Sequence, residues 1–257
     1  AIGFAYFYGI LKPLVGRDAA ALWTFLFATS LYFMLAPLSY ALNNDILQVP
    51  AWLAMVFHFL RADRTNAWRH WLALGLWAAA AVLIKYSAGI FFVAGIAATL
   101  LVPDYRRTWR NPRQLATVAI GLLWVLPHLV ALRTNSGAIA YAEAFAATAT
   151  GIGGRFYNIG YFIFGALLFL LPAWLVIAGG LVNGNCRFTG MPRDPDTRNA
   201  ARFIITLTAV AVALTFALAL ATGAVLNHRY GAPYFGLFLL SAAPLVGFRA
   251  ETFAAAE

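Results

Sequence analysis

The sequence predicts an all-α, polytopic integral membrane protein, with about eight full transmembrane helices following a truncated first one. Three observations carry this reading. Hydrophobic residues make up 63% of the 257 residues and charged residues only 11%, whereas a soluble domain is about one quarter charged. Apolar runs of roughly 15 to 24 residues recur from end to end, the length a helix needs to cross a bilayer core. Short Arg-bearing segments separate these runs, and the eighteen Lys and Arg fall unevenly between alternate segments.

In chain order, the first run, Ile2 to Val15, is a truncated or tilted span with Lys12 and Pro13 near its end. Gly16-Arg17-Asp18 is a turn, and Ala19 to Pro37 is a full-length span. Asn43-Asn44-Asp45 forms a compact polar knot. Ile46 to Leu60 is the next span, with Pro50 tolerated in its first turns. Arg61 to His70 is a charged loop. Trp71 to Leu101 is too long for one span and is broken by Lys85-Tyr86-Ser87, which predicts two short helices in a hairpin with Lys85 at its tip. Pro103 to Arg113 is the most basic loop, and Gln114 to Leu132 spans again. Arg133 to Asn158 is the longest polar interval, with an interfacial helix expected at Ala138 to Ala147. Ile159 to Val182 spans, Asn183 to Arg202 is a loop, and Phe203 to Thr222 spans. Asn227-His228-Arg229-Tyr230 is a second polar knot, and Ala232 to Phe248 is the last span.

Placing Arg61–His70 in the cytoplasm and alternating the spans puts fourteen Lys and Arg inside. Lys85, Arg133, Arg155 and Arg229 remain outside, as the positive-inside rule requires. The net charge of +9 is thus a topology signal and implies a lipid bilayer, not nucleic acid, as partner. The single cysteine, Cys186, excludes an internal disulfide, and no Cys/His cluster has metal-ligand spacing. The whole chain, 1–257, reads as one transmembrane domain, without an initiator Met or a signal-peptide pattern. Its first run is cut short at Ala1, which leads us to expect a missing upstream segment.

The same topology gathers Asp45, Lys85-Tyr86, Arg133, Glu143, Arg155-Phe156-Tyr157 and His228-Arg229-Tyr230 at the outer ends of helices. Each has a plain reading. Lys85 snorkels at a hairpin tip, the tyrosines belong to an interfacial belt, Glu143 is solvated, and His128 is a satisfied helix-end histidine. Together they also describe a cationic outer pocket with one carboxylate, suited to a phosphate or pyrophosphate headgroup. Asp45 then orients Lys85, binds an acceptor hydroxyl or assists a divalent cation, and charge complementarity alone leaves these open. A transporter or flippase with Asp45 and Lys85 as coupling groups, or a non-enzymatic membrane subunit, are the rival readings.

Asp45, a span, a basic loop, a Trp-rich span and then Leu83-Ile84-Lys85-Tyr86-Ser87 form a pattern that resembles the polytopic lipid-linked-sugar glycosyltransferases. These include the protein O-mannosyltransferase-like and aminoarabinose-transferase-like enzymes. Leu126-Pro127-His128-Leu129 and His228-Arg229-Tyr230-Gly231-Ala232-Pro233 are similar to segments of bacterial members. The resemblance implies a helical enzyme of the cytoplasmic (inner) membrane with its site facing the periplasm. It implies a polyprenyl-phosphate-linked sugar as donor and transfer to an acceptor hydroxyl or phosphate. Asp45 and Lys85 would match the family's polar pair near the donor phosphate, Arg229 its late basic residue, and Tyr86, His228 and Tyr230 would join them in the substrate site. The family's catalytic acidic residue sits in a first outer loop, which this implies lies upstream of Ala1, so the sequence as it stands is expected to be inactive alone.

Overall fold

The computed structural model describes residues 1–35, 44–134, 151–226 and 231–248. Its helices are α1 (Ile2–Val15), α2 (Arg17–Ala28), α3 (Leu31–Leu35), α4 (Asn44–Thr65), α5 (Trp68–Ile84) and α6 (Ala88–Leu101). A 3-10 helix (Pro103–Arg110) leads into α7 (Arg113–Thr134), α8 (Gly151–Phe169), α9 (Leu171–Val182), α10 (Pro195–Thr222) and α11 (Ala232–Ala242). Two short strands complete it, β1 (Cys186–Phe188) and β2 (Val246–Phe248), paired antiparallel with Cys186 opposite Phe248.

The bundle is organised around α4. Gln48, Val49 and the run from Ala51 to Val56 are all buried, so this half of α4 has no lipid- or water-facing side and packs against α1, α5 and α11. Trp52 is the hub. It stacks on Phe91 of α6 at 4.5 Å between ring centroids and meets Tyr234 of α11 edge-on at 5.2 Å. Near the other end of α4, Phe59 stacks on Phe203 of α10 at 4.7 Å. Small residues bring backbones together where helices cross, as bilayer packing favours. Gly3 faces Val49 and Pro50, Gly9 faces Phe57, and Gly75 of α5 lies against Thr117 of α7.

These contacts give the bundle two chemically different ends. Arg61 and Arg64 lie at the end of α4, Arg69 at the start of α5, Arg106 to Arg113 around the 3-10 helix, and Arg198 and Arg202 at the start of α10. The start of α4 and the α5–α6 turn form the opposite end. Among the described residues that end carries Lys85, Arg133 and Arg155 as its cations.

Among the described residues three helices, Arg113–Thr134, Gly151–Phe169 and Pro195–Thr222, are long and apolar enough to cross a membrane. A fourth span is formed if α6 and the 3-10 helix, bent by 110°, count as one. Ile2–Val15, Trp68–Ile84, Leu171–Val182 and the α11 segment are apolar but shorter. On α7, Leu115, Leu122, Leu123 and Trp124 all point outward, a surface suited to lipid rather than water.

Several expected boundaries move. The Arg61–His70 loop shrinks to a two-residue break, because α4 continues to Thr65 and Asn66 turns the chain at φ 49°, a conformation Asn tolerates. The Ala19–Pro37 span is broken at Thr29-Ser30, and residues 36–43 lie outside the described residues. The break at Lys85 is as expected, yet its arms diverge: α5 packs on α4 and α7, α6 on α10. The Gly151–Asn158 part of the expected polar interval is helical, while the helix expected at 138–147 lies outside the described residues. Ile159–Val182 divides at Leu170, with Pro172 opening α9. The Asn183–Arg202 loop holds β1, and from Pro195 onward it is the start of α10, where the Asp194 carboxylate accepts the Thr197 N–H at 2.8 Å. The last expected span ends as a helix at Ala242, and Val246–Phe248 is strand.

The α5–α7 crossing is open to test. A Cβ on Gly75 would lie 2.5 Å from the Thr117 carbonyl oxygen, whereas one on Gly121 would meet nothing closer than 3.6 Å. Gly75→Ala should therefore cost about 1–3 kcal/mol through overpacking, read as a lowered Tm in detergent. Gly121→Ala should be neutral or gain up to about 1 kcal/mol from helix propensity.

Candidate functional site

Asp45 sits in the first turn of α4 and Lys85 is the residue that ends α5. A helix N-terminus favours an anion and a C-terminus a cation, each by about 0.3–1 kcal/mol. The two helix ends meet, and Lys85 Nζ donates to Asp45 Oδ1 at 2.6 Å. Asp45 is 8% exposed as a residue; the lysine side chain is 26% exposed and the aspartate side chain 11%. The pair thus has a buried anion and a cation that reaches the surface.

Gln48, one turn from Asp45 on the same helix face, fixes where Lys85 stands. Its side chain is buried and its Nε2 donates to the Ala81 carbonyl at 2.7 Å and to the Lys85 carbonyl at 3.2 Å. Both carbonyls also accept backbone N–H groups, from Lys85 and Ala88 respectively, so Gln48 adds a second donor to each and anchors the turn. Beyond the turn, Tyr86 is 56% exposed and its hydroxyl hydrogen-bonds His128 Nε2 of α7 at 2.6 Å, with the rings stacked. His128 is therefore satisfied, as its plain reading had it.

The other outer residues divide. Arg155 does not join the pair. Its guanidinium donates to the carbonyls of Leu220 and Ala221 at the end of α10, a helix C-terminus that favours a cation. Arg133 is exposed in the last turn of α7. Tyr157 is 72% exposed and lies beside Tyr161 on α8. Glu143, His228, Arg229 and Tyr230 lie outside the described residues. The segment carrying the last three resumes at Gly231, and Tyr234 touches Trp52, about 10 Å along α4 from Asp45.

For a divalent cation the fit is poor. No group of three or more His, Cys, Asp and Glu gathers among the described residues, and Asp45 already faces the Lys85 ammonium.

Residues 1–130 match the family model for dolichyl-phosphate-mannose-protein mannosyltransferases. The chain belongs to that family. No curated protein and no solved structure matches the chain. The matched region contains both Asp45 and Lys85, and the protein is thereby a mannosyltransferase-like membrane glycosyltransferase, which favours an enzyme over the transporter reading.

Two features of this mannosyltransferase-like chain went unread in the sequence. Gln48 is a lone amide in an apolar run, and its spacing from Asp45 was the available signal. At the arginine-rich half, Trp77 Nε1 donates to the Tyr6 hydroxyl (3.2 Å), which bonds His58 Nε2 (3.2 Å), and the Nδ1 atoms of His58 and His70 lie 3.0 Å apart. This chain ties α1, α4 and α5 together. Its members come from three separate apolar runs and, for His70, the charged loop, so no local pattern announces it.

The pair's asymmetric burial predicts asymmetric costs. Lys85→Met strands the buried carboxylate and should destabilise by about 1–3 kcal/mol. Asp45→Asn leaves an ammonium that reaches water and should cost less. The double variant should cost less than the sum, with a coupling of about 1 kcal/mol, measured by chemical denaturation in mixed micelles.

Proposed function

We propose that this protein transfers a sugar from a polyprenyl-phosphate donor to an acceptor hydroxyl or phosphate at the outer face of the cytoplasmic membrane. The observation that carries the proposal is the Asp45–Lys85 pair, held where α4 begins and α5 ends, at the end of the bundle that is poor in arginine. Lys85 binds the donor phosphate as a point charge, and Asp45 and Gln48 fix its position. Arg229 is assigned as a second cation for the phosphate, and Tyr86, His228 and Tyr230 as further substrate-binding residues. Asp45, committed to Lys85, is not the catalytic base.

The phosphate role is tested by donor binding to the purified protein, using a polyprenyl-phosphate sugar. Lys85→Met should lose most of the affinity. Lys85→Arg should keep part of it, because the wider planar guanidinium is less freely placed than an ammonium. Wild-type affinity in Lys85→Met would return Lys85 to the snorkelling role.

The orientation is tested separately. Asn44 opens α4 and Asn66 follows its end, about 33 Å apart by helical rise. In a Cys186→Ala background, Asn44→Cys should react with an impermeant thiol reagent added outside, and Asn66→Cys only after the membrane is opened. Labelling of both from one side would remove the proposed topology.

A further inference from the structure

The hydrogen-bonded chain of Trp77, Tyr6, His58 and His70 has a fixed direction. An indole N–H can only donate, so the Tyr6 hydroxyl oxygen accepts from Trp77 Nε1 at 3.2 Å. The Tyr6 O–H then has one acceptor among the described residues, His58 Nε2 at 3.2 Å. That leaves the neutral His58 ring its proton on Nδ1, which donates across 3.0 Å to Nδ1 of His70. His70 in turn carries its own proton on Nε2. Only this arrangement gives the Trp77, Tyr6 and His58 protons an acceptor each.

The same arrangement has no place for another proton. Two neutral imidazoles offer two ring lone pairs, here on His58 Nε2 and His70 Nδ1, and both are already accepting. A further proton displaces Tyr6 from His58 or sets two N–H groups against each other between the rings. Reversing the chain instead leaves the Tyr6 proton without an acceptor. Water is poorly placed to repair any of these losses. His70 is 9% exposed, Phe57 lies edge-on to both imidazoles at 5.2 and 6.2 Å, and Trp77 packs edge-on to Tyr6 at 5.7 Å. An unmade hydrogen bond in such surroundings is costly.

The charges around the pair oppose the proton as well. From α1 the rings meet Tyr6, from α5 Arg69 and from α4 Arg61. The two guanidiniums act on His70, and His70 acts on His58; no carboxylate among the described residues acts on either ring. On the side of α7, Arg113 is turned onto the Trp68 ring at 5.0 Å.

We infer that these four residues form an acid-sensitive latch on the junction of α1, α4 and α5. With both rings neutral, the latch clasps the start of α5 to α4 and, through Tyr6, to α1. A proton taken up by either ring breaks the chain and frees the start of α5, the helix whose other end carries Lys85. The contribution of the latch is complete above about pH 6.5, the ordinary imidazole value, and is lost as pH falls below it. Nothing in it depends on the sugar transfer proposed above.

The test follows the Tm of the purified protein in detergent from about pH 7.5 to about pH 5, the range in which histidine titrates. His70→Asn offers a carbonyl oxygen near the place of Nδ1, and His58→Gln one near the place of Nε2; neither takes up a proton. Wild type should lose about 4 °C more than the double variant over this interval, the size of one to two hydrogen bonds in a chain of this length. His70→Asn alone should fall between them. Equal losses in wild type and variants would overturn the latch. Should the variants not fold, NMR of the wild type with 15N-labelled histidine decides. Near neutral pH, a coupling across an N–H···N bond should join two of the four imidazoles, with the donor protonated on Nδ1. Those two rings should take up protons over the interval in which Tm falls. Absence of the coupling, or rings that stay neutral while Tm falls, would equally overturn it.

Discussion

A carboxylate and an ammonium, each at the helix end that favours its charge, join the two halves of the matched region. Asp45 begins α4 and Lys85 ends α5, and the 2.6 Å contact between them sets how far the two helices can slide. Everything else near this end depends on that register. Gln48 reaches the α5 carbonyls only if α4 and α5 are aligned, and Tyr86 reaches His128 only if the turn after Lys85 points towards α7. The buried run from Gln48 to Val56 then carries this alignment into the core through Trp52, which touches α6 and α11 at once.

The two ends of the bundle use charge in opposite ways. At the arginine-rich end, cations are plentiful and several serve structure: Arg107 on Asp63, Arg106 on the Leu100 carbonyl at 2.7 Å, and Arg113 over the Trp68 ring at 5.0 Å. At the other end the described cations are few, and two of the three have a specific partner. Arg155 closes α10 and Lys85 meets Asp45. A charge at a membrane surface costs desolvation unless paired or hydrated, and sparseness at one face makes a well-placed pair chemically distinctive.

The sequence made the charge pattern and the Lys85 break legible because a charge inside an apolar run is expensive and therefore interrupts it. Alternation of the spans put Asp45 and Lys85, forty positions apart, on one face, and it was the family resemblance that paired them. Helix ends were less legible. Apolar runs stop at the lipid boundary, but backbone hydrogen bonding continues into water, so α4 runs on through Arg61 and Arg64. Breaks at Thr29-Ser30 and Leu170 carry no charge and vanish in a hydropathy reading, although Pro172 marks the second. Val246-Gly247-Phe248 looks like the end of a span; its strand character depends on Cys186–Phe188, a partner no local window contains.

The β1–β2 pairing closes a circuit. Cys186 lies opposite Phe248 across roughly sixty residues of chain, a loop whose closure entropy the few strand bonds alone offset poorly. The Thr189 N–H bond to the Leu245 carbonyl at 2.9 Å and the tight seat of Cys186 against Gly180 add to it. Because β1 has no strand partner until β2 emerges, α10 and α11 must be in place before the clasp can shut. During membrane insertion β1 therefore waits with its backbone groups hydrated. The clasp reports completed assembly of the α10–α11 pair rather than driving it, and it is the contact that local opening would release first.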